Sequence, residues 1–423
     1  MTYQKTVFDN GLTLLAEPVP AVRSVAIAIF LATGSRYEDD AEAGMSHFVE
    51  HILFKGASRW PTAQAISEAI EGVGGLVNAS TSRETTMYWV KVAQPHVPLA
   101  LDVLTDMLRN PIVASEEVAK EQRVILEEIN MLHDSPESLV QILITDLLWP
   151  DQPLGREISG TRESVSRVNR ESLLDYMGRF YGPNRTFISI AGAIDGDEIA
   201  GIVSDHFGDW QPVPGGIIQP YEDTQDAARV ALGYKKTEQA HLCLALPGLF
   251  RDHPDRFTLT LANTILGDGM SSRLFQAIRE RQALAYSVDS FVSSLQDTGM
   301  VGVYAGVDPR RAEQTLTAIL EELSRMRNDL VSRDELTRAV EFNKGRLLLQ
   351  MENTSAISSW NGRQEALPGR VYSVDEVVEI LEAITREDIL RVMQELLRPE
   401  KLNLAVVGPF EDVGGFSEHL MFS

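Results

Sequence analysis

Cysteine is nearly absent. Cys243 is the single one in 423 residues, which excludes an intrachain disulfide framework and any metal site built from several thiolates. Long apolar runs are missing too: nothing approaches the roughly 18 uninterrupted apolar residues of a membrane span, so no membrane association is expected. The opening residues, Met-Thr-Tyr-Gln-Lys-Thr-Val-Phe-Asp-Asn, lack both a signal-peptide apolar core and an Arg-rich transit pattern, and a cytoplasmic location is the expectation. Positive charge is scarce. With 38 Lys and Arg against 61 Asp and Glu, the net charge is −23, which argues against nucleic acid and anionic lipid as partners. Cationic or neutral substrates remain. The glycines of Gly267-Asp268-Gly269 lack the Lys-Ser/Thr that a phosphate-binding loop requires, so they read as a loop between helices.

What is present begins with a repeat. Arg170-Glu171-Ser172-Leu173-Leu174-Asp175-Tyr176-Met177 aligns with Arg386-Glu387-Asp388-Ile389-Leu390-Arg391-Val392-Met393, 216 positions later (386 − 170). In the same register Pro183 matches Pro399 and Gly192 matches Gly408. Each copy reads as an amphipathic helix, a proline turn and an apolar strand ending in glycine, the signature of an internal duplication. A stretch rich in proline and glycine from Gln211 through Asp223 reads as a linker. The expected organisation is therefore a domain over 1–212, a linker over 213–224 and a homologous domain over 225–423. Strands such as Ser24–Ala32 and Thr86–Val92, mixed with helices such as Pro136–Leu148 and Ala312–Arg325, predict α+β domains, each a largely antiparallel sheet with helices packed on it.

The chemistry concentrates in Ser46-His47-Phe48-Val49-Glu50-His51. On a helix His47 and His51 lie one turn apart on a common face, a spacing at which two imidazoles can share one zinc ion. Glu50 lies within about 100° of both around the axis, where a carboxylate can take a proton from an attacking water. His-x-x-Glu-His is the reverse of the His-Glu-x-x-His zinc-peptidase motif, with the same parts on the same face. A third ligand must come from elsewhere. In the helix predicted around residues 116–132, Val118, Ile125, Ile129 and Leu132 form the apolar stripe. Glu121 and Glu128, seven apart, border it, while Glu127 projects toward water. Glu128 is the expected third ligand, and Glu121 a carboxylate that orients a histidine or Glu128 itself.

With Glu128 standing 77 positions after His51 (128 − 51) and Glu121 seven before it, the chain resembles the pitrilysin-type metallopeptidases. The resemblance is closest to the short branch containing the mitochondrial processing peptidase β subunit and small bacterial zinc peptidases. It covers essentially the whole chain and implies two similar domains of the processing-peptidase-like metallohydrolase fold enclosing a chamber. It implies that Glu121 supports the site and Glu128 completes the ligand set, with one Zn²⁺ per chain. Gly74-Gly75-Leu76-Val77-Asn78-Ala79-Ser80-Thr81 is similar to the family's Asn-Ala-x-Thr segment, so Asn78 and Ala79 are implied to bind substrate backbone as an added edge strand. Ser80 stands where many relatives carry a bulky aromatic residue. Arg279 and Tyr286 resemble the family's Arg/Tyr pair, implied to hold the scissile region and its developing oxyanion. On the residues alone, Asn78 reads equally as a turn residue and Arg279 as a surface helix residue.

The function these features predict is a zinc-dependent endopeptidase hydrolysing short or unfolded peptides inside a chamber. A homodimer is the expected assembly. The alternative is a non-catalytic scaffold or assembly subunit of the same fold. The natural substrate, and the choice between processing and general oligopeptide hydrolysis, are not legible in the residues.

Overall fold

The computed structural model describes residues 3–367 and 370–421. Its packing divides the chain into two compact units. The first comprises Met1–Ile129, Arg156–Gln219 and Leu347–Val374; the second comprises Asn130–Gly155, Pro220–Arg346 and Asp375–Ser423. In the first, strands β1 (Gln4–Val7), β2 (Thr13–Pro18), β3 (Ser24–Leu31), β4 (Leu76–Thr81), β5 (Thr86–Ala93) and β6 (Thr186–Gly192) form one sheet in the order β1-β2-β6-β3-β5-β4. In the second, β7 (Arg229–Tyr234), β8 (Ala240–Gly248), β9 (Ala285–Ser294), β10 (Gly299–Val307) and β11 (Asn403–Gly408) follow the order β7-β11-β8-β10-β9.

The two orders correspond strand for strand once β1 is set aside. Each sheet contains one parallel pair, β2 with β6 and β7 with β11, and every other pairing is antiparallel. Thr13 faces Phe187 in one parallel pair and Arg229 faces Asn403 in the other, each residue shifted by 216 (229 − 13; 403 − 187). The helices Arg170–Phe180 and Arg386–Leu396 both open with a capping box, on Asn169 and on Thr385. Each box satisfies two end groups of its helix reciprocally. This is the expected α+β architecture of two homologous, largely antiparallel sheets with helices upon them.

Both faces of the central strands are apolar, and this decides what covers them. On one face of the first sheet, Val25, Ile27 and Ile29 of β3 pack with Phe48, Val49, Ile52 and Leu104. On the other, Ala28 and Phe30 cluster with Ala366 of the helix Thr354–Ala366. That helix lies so close that a Cβ on Gly362 would stand 2.3 Å from a Phe30 ring carbon. In the second unit Val140, Ile144 and Leu148 of the helix Pro136–Leu148 pack on Cys243, Ala245, Ala405 and Val407.

Neither unit is therefore a contiguous stretch, as 1–212 and 225–423 would be. Each takes one covering helix from the opposite half of the sequence. Residues 211–226 carry no helix or strand, and no helix among the described residues is long and apolar enough to cross a membrane.

Candidate metal centre

The motif lies on the helix Met45–Leu53 in the first unit. Gly44 begins it at φ 91°, and a Cβ there would meet the Ser159 carbonyl oxygen at 2.6 Å, so the entry turn needs glycine. The first backbone N–H groups of a helix have no partner within it. Here Glu38, 4% exposed, accepts from the N–H of Gly44 at 2.8 Å and of Ser46 at 2.6 Å. Burial raises the pKa of this carboxyl, although the bonds from Ser46 and Gly44 act against the shift. Phe48, Val49, Ile52 and Leu53 are wholly buried. Their packing pins the helix rotation, and His47, Glu50 and His51 are left half-buried on the other face.

The helix Ser115–Asp134 supplies the carboxylates. Val118, Glu121, Ile125 and Ile129 are its buried residues, Glu128 is half-buried beside them, and Glu127 is exposed. Glu128 Oε2 lies 3.6 Å from His51 Nε2 and 3.9 Å from His47 Nε2. The imidazole centroids are 4.6 Å apart. His51 Nδ1 is 3.1 Å from Glu121 Oε2, and Lys55 Nζ donates to Glu121 Oε1 at 2.7 Å. An ionised Glu121 can only accept, so Nδ1 carries the proton, and Nε2 is the ring nitrogen left on the Glu128 side for a metal.

Among the described residues, His47, His51 and Glu128 form a group able to hold a metal ion, their ligand atoms all within 4.8 Å of one another. Tetrahedral ligands at zinc bond lengths stand about 3.3 Å apart, so the two Glu128 separations, 3.6 and 3.9 Å, need only a small contraction. Two imidazoles, a carboxylate and no fourth protein ligand in the group make a donor set that suits zinc with one position left for water. Burial, then the neighbouring His51, lowers the His47 pKa to about 4, keeping that ring in the neutral form a metal requires. Burial also pulls His51 down, but its hydrogen bond to Glu121 and the charges of Glu128, Glu121 and Glu50 outweigh this and raise it.

Glu50 points to the same region without belonging to the ligand group. Burial raises its pKa, opposed first by the hydrogen bond from Thr81. The Thr81 hydroxyl donates to Glu50 Oε2 at 2.5 Å. Thr81 ends β4, an edge strand of the sheet, whose Val77, Ala79 and Thr81 are half-buried while Asn78 and Ser80 are exposed. Asn78 Oδ1 accepts from the Ala79 N–H at 2.8 Å.

Arg279 and Tyr286 belong to the second unit. Arg279 lies on a π-helical segment, Phe275–Arg281, and Tyr286 on β9, 75% exposed. The guanidinium stands 4.8 Å from the Phe275 ring centroid and 5.5 Å from that of Tyr286, so the pair expected from sequence is side by side. Two partners escaped the sequence reading. Lys55 lies four after His51, a same-face spacing, and Thr81 shares the strand alternation with Ala79; either period could have pointed to them.

The family profile described as insulinase, peptidase family M16, matches residues 14–162, and that described as peptidase M16 inactive domain matches residues 167–342. The uncharacterized zinc protease YmxG of Bacillus subtilis is 39% identical over 403 residues, 95% of this chain and 97% of its own. The uncharacterized zinc protease SCO5738 of Streptomyces coelicolor is 36% identical over 419 residues, covering 97% of this chain and 90% of its own. Among solved structures, a protease from Helicobacter pylori superposes with a TM-score of 0.89 at 20% identity, over 96% of this chain and 100% of that one. At that identity the likeness shows the fold.

Proposed function

We propose an active zinc endopeptidase, from the premise that this chain belongs to the insulinase peptidase family, M16. The observation that carries the proposal is the convergence of His47, His51 and Glu128 within 4.8 Å, with Glu50 on the same helix face. His47, His51 and Glu128 would hold one zinc ion, which when bound polarises a carbonyl and acidifies water. Glu121 orients His51. Glu50 takes the proton from the attacking water and passes it to the leaving amine, so each bond change is matched by a proton transfer. Asn78 and Ala79 on the edge of β4 receive the substrate backbone as an added strand. Arg279 and Tyr286 hold substrate carbonyl oxygens, a guanidinium and a phenol both being donors.

Substrates on this reading are short or unfolded peptides taken into a chamber by a cytoplasmic homodimer, in which one protomer supplies the metal centre and its partner the Arg279–Tyr286 pair. The match of residues 167–342 to an inactive-domain profile favours one second reading, a non-catalytic assembly subunit. Glu50→Gln separates the two. It removes the proton acceptor and none of the ligands, so hydrolysis should fall on the order of 10³-fold or more with zinc still bound. A wild-type chain that binds no zinc and cleaves no peptide would favour the scaffold. A Glu50→Gln chain that loses its metal would make Glu50 a ligand.

A further inference from the structure

A general base on a long side chain works only when its carboxylate is held. Glu has three rotatable bonds, and a half-buried carboxylate free to turn would spend little time aimed at one water. We infer that Thr81 is the positioning residue for Glu50, its hydroxyl hydrogen bond holding the carboxylate in the orientation proton transfer requires. This rests on the reading of Glu50 as general base.

The bond is short, 2.5 Å from Thr81 Oγ1 to Glu50 Oε2, as expected for a hydroxyl donating to a carboxylate. It occupies one carboxylate oxygen and leaves the other for a water. The donor is itself constrained by the strand. Alternation along β4 turns Thr81 inward with Val77 and Ala79, and the ladder sets it opposite Thr86. A β-branched side chain in a strand has few rotamers to visit.

Immediately beyond Thr81 the chain turns at Ser82–Thr85, and this turn is tied on three sides. Ser82 N–H donates to the Thr85 carbonyl at 2.8 Å, and Arg36 N–H to the Arg83 carbonyl at 2.8 Å. The wholly buried guanidinium of Arg36 pairs with Glu84 at 2.8 Å. Thr81 thus reports the rigidity of the hairpin to a side chain on the helix Met45–Leu53. Because β4 is also the strand whose edge would take up substrate, one element both seats the peptide and aims the base.

The test compares Thr81→Val, Thr81→Ala and Thr81→Ser with wild type and Glu50→Gln, measuring zinc content, melting temperature, kcat and KM. The hydroxyl-free variants should keep their zinc and lose roughly 10- to 100-fold in kcat, the scale of a small misplacement of a catalytic group. Their KM should move by less than about twofold, since no substrate contact is removed. Thr81→Ser keeps the donor and should stay within about threefold of wild-type kcat. Full kcat per bound zinc in either hydroxyl-free variant overturns the inference. So does a loss shared by Thr81→Ser, or one explained wholly by lost zinc. If Thr81→Val does not fold, Thr81→Ala, which adds no bulk, carries the test. A wild type without zinc-dependent turnover overturns the premise as well, whereas an active wild type with indifferent Thr81 variants overturns this inference alone.

Discussion

The two sheets share a strand order, a parallel pair in matching register and a capping box at equivalent positions. Yet they carry different chemistry. In the first unit the helix Met45–Leu53 follows β3 and presents His47, Glu50 and His51. In the second the helix Arg256–Leu266 follows β8 and buries Leu259, Leu261, Ala262, Ile265 and Leu266. Among the described residues no metal-holding group of His, Cys, Asp or Glu is found there. The apolar side of the helix is what the scaffold needs, and both units keep it. The polar side is free to vary, so a site can be present in one copy and missing from the other without cost to the fold.

The difference between the units rests most heavily on Glu128, the third proposed ligand. Glu128→Gln should weaken zinc binding by more than about 100-fold, beyond the range seen for outer-shell changes. Glu127→Gln, one residue away and exposed, should leave metal affinity intact and stability within about 0.5 kcal/mol. Competition with a chromophoric chelator measures both, and equal retention would remove Glu128 from the ligand set. Next in size is Glu121→Gln. It leaves the His51 Nδ1 proton and Lys55 without their carboxylate partner, and zinc affinity should fall about 10- to 100-fold.

A third prediction addresses the scaffold the units share. Gly362→Ala forces a methyl against Phe30 under the first sheet, and urea unfolding should show a loss of about 1–3 kcal/mol. An unchanged midpoint would mean the helix Thr354–Ala366 stands further from the sheet. The smallest signal concerns assembly. Mixed Glu50→Gln and Arg279→Ala chains, each nearly inactive alone, should recover up to about a quarter of wild-type activity. Random pairing makes half the dimers mixed, each with one intact site. No recovery after verified subunit exchange would mean that the pair acts within one chain or that Arg279 has another role.

Much of the fold was legible because its signals are local. The repeat was visible as a constant spacing, and the helix Pro136–Leu148 could be read to both ends from its proline start and its periodicity. Helical phase separated Glu128 from Glu127, which do differ in exposure. The strand β3 ends at Leu31, one residue short of the reading, with Ala32 N–H still donating to the Arg185 carbonyl, the position just before β6. The exchange of the helices Pro136–Leu148 and Thr354–Ala366 between halves left no local trace. Which apolar face a helix covers depends on where the chain carries it, not on its own pattern. Thr81 and Lys55 escaped for a related reason. A hydroxyl or an ammonium acquires a role only through a partner, and Glu50 lies 31 positions from Thr81 while Glu121 lies 66 from Lys55 (81 − 50; 121 − 55).

On the proposed function, one zinc ion held by His47, His51 and Glu128 makes this chain a peptidase. Metal-stripped protein should be titrated with zinc while bound metal and hydrolysis of an unstructured peptide are followed in the same sample. Activity should rise in step with occupancy and saturate at about one equivalent per chain, and a His47→Ala/His51→Ala variant should neither bind nor cleave. Full activity in the stripped protein, or zinc retained at wild-type affinity by that variant, would contradict it.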